Sequence, residues 1–360
     1  MLYKVIGIMS GSSLDGLDIA YCHIEENRGR WSYEIKAATC KAYSKEWLHA
    51  LKTAAQQTVP EFLELHTAYG HYIGQCVNEF IREQSIDLKV DFIVSHGHTV
   101  HHNPSKQTSF QLGCGASIAA TTQLQVINDL RAMDVALHGQ GAPIVPIGDY
   151  FLFNEYAYLL NLGGIANITI KQEQSLLAFD ICVANQALNY WAQKLGLAYD
   201  DKGSIAASGS LHSGLLAQLS EEAYYKVQGP KSLSNEQAMH LVSALLEDTS
   251  ISVADALHTL VHFIVDKIEA ALIPNHRQEQ ASLLVTGGGA FNDYLIAQLR
   301  MRMQPLGIET IVPDPLVVQY KEALIMAFIG VLRWREEVNV LKAVTGATKS
   351  SIGGAFWMGA

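Results

Sequence analysis

Short apolar runs broken by glycine, serine and aspartate set the rhythm of this chain. Residues 3–9 (YKVIGIM) and 17–24 (LDIAYCHI) are β-branched and aromatic and read as two strands around a loop, with 31–39 (WSYEIKAAT) as a third. From about 45 to 85 the period changes: Phe62, Leu65, His66, Tyr69, Ile73, Val77 and Phe80 recur every three or four residues and predict helix. DFIVSHG (91–97) predicts a short buried strand ending in a polar loop. SFQLG (109–113) predicts another strand, 116–122 a helix, and LQVINDLR (124–131) a return to extended structure.

HGQGAPIVPIGD (138–149) concentrates glycine and proline and predicts a crossing between two domains, 1–140 and 141–360, with the final residues packing back on the first. The strand-loop-strand theme then recurs in YAYLLNLGGIANITI (156–170), and SLLAFDI (175–181) continues it. Leu257, Leu260, Val261, Ile264, Ile268 and Ala271 mark one face of a helix at about 254–272. SLLVTGGGAFNDYLIAQLRMRM (282–303) reads as strand, triple glycine and helix, IETIVPD (308–314) as a strand, and 323–334 as a last long helix. Strands alternating with helices in both halves, each half starting with a hairpin, predict two α/β domains built on a duplicated core.

Charge narrows the function classes. The 360 residues carry a formal net charge of −10, and no basic cluster offsets it. Nucleic acid and anionic membrane are therefore poor partners, whereas backbone N–H groups can still bind a small anion locally. The five cysteines, Cys22, Cys40, Cys76, Cys114 and Cys182, are odd in number and irregular in spacing, which predicts reduced thiols in a cytoplasmic protein. Val5 to Met9 is too short for a signal peptide, and Ala323 to Leu332 is about half a membrane span, so the latter predicts a buried helix.

Three glycine-bearing loops each follow an apolar strand: Gly11–Gly16, Asn161–Gly164 and Thr286–Gly289. Glycine lets backbone N–H groups approach a ligand closely, and three such loops favour a nucleotide site over three unrelated turns. No Gly-Lys pair, G-x-G-x-x-G, G-x-S-x-G or H-E-x-x-H occurs, which removes the P-loop, the dinucleotide fingerprint, the serine-hydrolase elbow and the zincin motif. Asp15 and Asp18, in and just after the first loop, are placed to hold Mg²⁺ directly or through water. Asp180 ends an apolar strand, as a base reaching into a site does. SHGHTVHHNP (95–104) packs four histidines together, but without helical i, i+4 spacing or a completing cysteine or carboxylate pair it reads as a polar substrate loop rather than a metal site.

These segments resemble, in order, the motifs of the anhydro-N-acetylmuramic acid kinases. GIMSGSSLDGLD is similar to M-S-G-T-S-x-D-G-x-D, SHGHTVHHNP to S-H-G-Q-T-V-x-H-x-P, and DLRAMDVALHGQGAPIVPIGD to R-x-x-D-V-A-x-G-G-Q-G-A-P-L-V-P. NLGGIANIT, VTGGGAFN and the terminal AVTGA complete a collinear set from residue 7 to about 347. The resemblance implies the actin-like ATPase (ribonuclease H-like) fold, two related α/β domains around a nucleotide cleft. It also implies a cytoplasmic reaction of cell-wall recycling in which ATP, water and 1,6-anhydro-N-acetylmuramic acid give N-acetylmuramic acid 6-phosphate and ADP, with ATP and Mg²⁺ bound and a homodimer as the assembly.

By the same resemblance Asp180 is the base that activates water, and Gly11, Ser12, Ser13, Asp15 and Gly16 face the γ-phosphate. Asn161, Gly163 and Gly164 take the other phosphates, and Gly287, Gly288 and Gly289 lie under the adenosine. His96, His98, Arg131, Asp134, Asn185 and Glu322 meet the sugar. Several positions depart from the pattern: FDICVAN (179–185) stands for F-D-T-G-P-G-N, KSLSNE (231–236) for K-S-x-G-R-E, His98 for Gln and His138 for Gly. The departures leave two alternatives, a kinase of another sugar or acid and a binding protein whose catalysis has faded.

Overall fold

The structure, a computed structural model, describes every residue except 12–13, 173–174, 228–230, 244, 246–249, 277–279 and 360. It divides into two compact units, Met1–Phe153 with Tyr320–Ala360, and Asn154–Gln319. The chain crosses twice, and the boundary expected at 140/141 lies inside the first unit. Residues beyond 141 stay there because the helix Pro146–Leu152 is pinned by Asp149, whose carboxylate sits 2.7 Å from Lys321 Nζ with both side chains buried.

The strands of the first part of the chain are β1 (Leu2–Ser10), β2 (Leu17–Asn27), β3 (Arg30–Lys41), β4 (Phe92–Asn103), β5 (Thr108–Leu112) and β6 (Val126–Asn128). Then come β7 (Tyr158–Leu162), β8 (Ile165–Gln172), β9 (Ser175–Val183), β10 (Ala281–Thr286), β11 (Ile308–Ile311) and, near the end, β12 (Ala355–Trp357). In the first unit β1, β2 and β3 form an antiparallel meander, and β4 and β6 continue in parallel on the other side of β1, giving the order β3-β2-β1-β4-β6. The short β12 closes that edge antiparallel to β6, and β5 folds back on β4. The second unit repeats the plan as β9-β8-β7-β10-β11, with β7, β8 and β9 antiparallel and β7, β10 and β11 parallel. Two sheets with the same order and the same mixture of directions make the duplicated ribonuclease H-like core explicit.

Each sheet has its own core. In the first unit Ile6, Ile8, Ile19 and Ile93 pack with Tyr69, Ile73, Val77 and Phe80 of the helix Val59–Glu83. On the opposite face a helix backbone lies directly on the sheet: a Cβ at Gly7 would strike the Ala323 carbonyl, so no side chain fits there. In the second unit Leu160, Ile168 and Val285 pack with Trp191, Phe263 and Ile264.

Three elements differ from expectation. The helical pattern of 45–85 is two helices, Lys45–Thr53 and Val59–Glu83, because Thr58 and Glu61 form a capping box and a proline sits at the helix start, which begins a new helix there. The histidine-rich segment after Gly97 is strand, not loop: β4 runs on to Asn103, held by β5 through pairs such as His98↔Leu112 and His102↔Ser109. The last long helix begins at Pro315 rather than 323, with non-helical backbone at Tyr320 (φ −115°), where the chain enters the first unit. Among the described residues it is the one helix long and apolar enough to cross a membrane, and most of it is buried inside the protein.

Candidate functional site

In each unit the candidate residues collect at the carboxyl ends of the parallel strands, where α/β sheets bind ligands. In the first unit β1 ends at Ser10, a buried residue whose Oγ lies 2.8 Å from Tyr43 OH and 3.2 Å from His98 Nδ1; Tyr43 and Tyr69 hydroxyls are 2.7 Å apart. This buried chain of hydroxyls holds the start of the glycine loop. The expected phosphate-facing Ser12 and Ser13 lie outside the described residues. Beyond them Leu14 adopts left-handed backbone (φ 59°), unusual for leucine, and Gly16 sits so close to Cys40 Sγ and the Lys41 carbonyl that a Cβ has no room. Asp15 is exposed. The Asp18 carboxyl is half-buried; burial pushes its pKa up, a hydrogen bond with Cys40 pulls it down, and the Asp15 charge raises it again.

His96 and Arg131 form the second part of this set. Arg131 Nε donates to His96 Nε2 at 2.8 Å. An arginine nitrogen cannot accept, so the imidazole proton resides on Nδ1, which donates to the Gly97 carbonyl at 2.8 Å. Burial, then the Arg131 charge, hold His96 down at about 3. Burial lowers Arg131 to about 10, so it stays a cation, and Glu322 supports that charge. Burial and then the Asp18 charge raise the Glu322 carboxyl, opposed by Lys321 and Arg131. Asp15, Asp18, Glu322, Arg131 and His96 are thus one electrostatic group, with His98 joined to the loop through Ser10.

Asp134 stands apart from that group. Its carboxylate is 1% exposed, and both oxygens are taken: Oδ2 by the Gly141 N–H and Oδ1 by the Thr345 hydroxyl, each at 2.7 Å. An aspartate so engaged ties the 138–141 loop to the terminal AVTGA segment. His138, on left-handed backbone, takes Gln107 Nε2 as partner at 3.0 Å.

The second unit brings its own candidates together. Gly287 (φ 80°) approaches the β7 end so closely that a Cβ would lie 2.5 Å from Asn161 Oδ1 and 2.9 Å from Leu162 main chain. Asn185 opens the helix Asn185–Gln193; its Nδ2 donates to the Leu162 carbonyl at 2.9 Å, and its Oδ1 would meet a Cβ at Gly289 at 3.0 Å. It therefore joins the two glycine turns. The carbonyls of Gly163 and Gly164 accept the N–H groups of Ala184, Asn185 and Gln186. At Gly164 the nearest atom to a Cβ is Gln186 Cβ, 3.8 Å away, and at Gly288 it is Asn185 Nδ2 at 3.5 Å. Packing requires glycine at 287 and 289, whereas at 164 and 288 the protein leaves the space free.

Asp180 lies in β9 beside a bulge: β8 pairs Asn167 with Asp180 and Ala166 with Cys182, so Ile181 is the extra residue. A bulge re-aims neighbouring side chains and commonly borders active sites. The carboxylate is half-buried, its Oδ2 accepts the Leu233 N–H at 2.9 Å, and Oδ1 has no hydrogen bond from the described residues. Burial raises its pKa and the Leu233 bond opposes that. The ICV that replaces Thr-Gly-Pro is strand up to Val183, with the bulge at Ile181. Ser234, where the resembled pattern has glycine, caps the helix Asn235–His240 in a capping box with Gln237. Sequence reasoning missed Ser10, Tyr43, Tyr224 and Leu233; of these Ser10 lay in the flagged segment GIMSGSSLDGLD and Leu233 in KSLSNE, without either being singled out.

Among the described residues no three His, Cys, Asp or Glu side chains gather as a metal site.

A family profile described as anhydro-N-acetylmuramic acid kinase matches residues 3–359. The anhydro-N-acetylmuramic acid kinase of Coxiella burnetii (strain Dugway 5J108-111) is 32% identical, covering 99% of this chain and 98% of that protein. That of Sulfurimonas denitrificans is 30% identical, covering 98% of each. Among solved structures, the activator of the 2-hydroxyisocaproyl-CoA dehydratase from Clostridium difficile with bound ADPNP aligns at 14% identity and TM-score 0.46, over 94% of this chain and 98% of that one. With matched motifs, a duplicated core and near-complete coverage all in agreement, the chain belongs to the anhydro-N-acetylmuramic acid kinase family.

Proposed function

We propose that this protein is the hydrolysing kinase that turns 1,6-anhydro-N-acetylmuramic acid, ATP and water into N-acetylmuramic acid 6-phosphate and ADP. Family membership supports an ATP-dependent sugar kinase. The observation that carries the hydrolytic step is Asp180: a half-buried carboxylate beside a bulge, one oxygen held by Leu233 and the other unengaged among the described residues. Burial raises its proton affinity, which suits a general base. Asp180 Oδ1 takes a proton from water as the water oxygen bonds to the anomeric carbon and the bond from that carbon to O6 breaks. O6 then attacks the γ-phosphorus, the β–γ bridging bond breaks, ADP leaves, and Asp180 returns its proton to solvent.

Catalysis of phosphoryl transfer is mostly positioning and charge stabilisation. In the first unit Gly11, Asp15 and Gly16 are proposed phosphate contacts. In the second unit, taken by itself, Asn161, Gly163 and Gly164 are proposed phosphate contacts, with Gly287, Gly288 and Gly289 under the adenosine. The room left at 164 and 288 supports this. In the first unit Arg131, with His96 fixing its orientation, is proposed to receive the sugar's lactyl carboxylate, and His98 and Glu322 to contact the sugar. In the second unit Asn185 is the proposed sugar contact. Mg²⁺ fits at Asp15 and Asp18, because a cation would relieve the repulsion between them and this ion needs only one or two carboxylates beside phosphates and water. When bound it supplies charge neutralisation on the phosphates. We further propose a cytoplasmic location, consistent with five unpaired cysteines, and a homodimer.

ADP release measured with the anhydro-sugar and Mg-ATP tests the proposal. Asp180→Asn should fold normally and lose about 10²–10⁴ in rate, ~3–5 kcal/mol of barrier stabilisation. Near-normal turnover would remove Asp180 from the role. The replacement of Thr-Gly-Pro by ICV favours a second reading, a weakened binding homologue; calorimetric binding of nucleotide and sugar without ADP formation would support it.

A further inference from the structure

We propose that Tyr224, Lys231 and Leu233 form a strap that sets the carboxylate of Asp180, with Tyr224 and Lys231 acting as positioning residues; the inference rests on the reading of Asp180 as the base. β9 is the outer strand of its sheet, so its free edge must find hydrogen-bond partners elsewhere. At residue 180 the partners among the described residues are Lys231, Tyr224 and Leu233. The Asp180 N–H donates to the Lys231 carbonyl at 2.9 Å, the Tyr224 hydroxyl donates to the Asp180 carbonyl at 2.7 Å, and the Leu233 N–H donates to Oδ2 at 2.9 Å. A segment that merely covered the edge would need only the two main-chain bonds. The third fixes the side chain and decides which oxygen remains to accept a proton.

Lys231 holds the strap closed. Its Nζ donates to the carbonyls of Tyr224 and Val227, both at 3.0 Å, and lies 4.3 Å from the centre of the Tyr224 ring. The titratable groups around Asp180 are Tyr224 and Cys182, with Lys231 and Lys267 acting on Cys182. Burial and the nearby Asp180 charge raise the Tyr224 pKa, so the phenol remains a donor throughout the working range. Two departures far apart in sequence, FDICVAN and KSLSNE, thus meet at one carboxylate.

Steady-state kinetics against pH test the strap. Tyr224→Phe should lower kcat about tenfold, while KM for ATP and for the sugar stays within about twofold, because an ill-aimed base slows the chemical step and leaves binding intact. Lys231→Met should behave alike and Lys231→Arg should recover most of the loss. Leu233→Pro removes an N–H that favours the ionised carboxylate, the one found among the described residues, so the acid limb of the kcat profile should move up by about half to one pH unit. Unchanged kcat in Tyr224→Phe together with an unmoved acid limb in Leu233→Pro, while Asp180→Asn has lost turnover, would overturn the strap. Turnover retained in Asp180→Asn would instead overturn the base reading. Tyr224→Phe, which deletes one oxygen, keeps the test alive if Leu233→Pro does not fold.

Discussion

Asp134→Ala separates a structural aspartate from a substrate contact. The change deletes the acceptor for two donors, the Gly141 N–H and the Thr345 hydroxyl, both at 2.7 Å from a carboxylate that is 1% exposed. A buried donor left unpaired costs about 1–3 kcal/mol. The Gly141 N–H has no substitute among the described residues, whereas the Thr345 hydroxyl can turn to the Leu341 carbonyl at 3.4 Å, so its share falls at the low end. The sum is about 3 kcal/mol. Asp134→Asn keeps an acceptor for Gly141 and should cost about 1 kcal/mol, and Thr345→Val about 1–2 kcal/mol. Urea unfolding followed by tryptophan fluorescence reads these values. The Asp134→Ala, Thr345→Val double mutant should lose less than the sum of the singles by about 1 kcal/mol. Unchanged stability in Asp134→Ala, with a large rise in KM for the sugar, would refute the reasoning and place the carboxylate on the substrate.

Two further outcomes follow from the same geometry. Gly287→Ala should lose about 2–5 kcal/mol, because its backbone (φ 80°, ψ 165°) is open to glycine alone and a Cβ would press on Asn161 and Leu162; Gly164→Ala should stay within about 1 kcal/mol in urea yet weaken nucleotide binding by calorimetry, and wild-type affinity there would remove that turn from the phosphate contacts. His96, held near 3 against an ordinary value of 6.5, stays neutral in the folded chain while the unfolded chain takes up a proton, so stability falls as pH drops through that window. His96→Gln should flatten the slope of unfolding free energy between about pH 6 and 4 by up to ~1.4 kcal/mol per pH unit, and an unaltered slope would contradict the buried neutral imidazole.

The parts of this fold legible in the sequence are those where one face is apolar and the other polar. LDIAYCHI reads as a strand because alternation and β-branching agree, and the face Leu257–Leu260–Val261–Ile264–Ile268 reads as a helix because nothing competes with its period. The outer half of β4 was hidden because His98–Asn103 is polar, and only its pairing with β5, a distant backbone partner, makes it strand. A three-residue strand such as β12 carries no periodicity at all. The glycine turns and Asp180 were visible as residue types in a pattern. The engagement of Asp134 was not, since an aspartate between Met133 and Val135 looks the same whether it binds a ligand or its own chain. Tyr224 was equally silent: its hydroxyl reaches across 44 positions, a distance no local pattern encodes.

The first unit is discontinuous, and this has a consequence for birth on the ribosome. Its outermost strand lies at 355–357, and Asn339, wholly buried, bonds to both Ile329 and Gly353. The middle unit, 154–319, is unbroken and can complete its sheet while translation continues. Residues 1–153, synthesised before that unit, must wait for residues 320–357 before their sheet is whole. Nascent-chain maturation therefore runs from the centre outward, the reverse of the usual amino-to-carboxyl order.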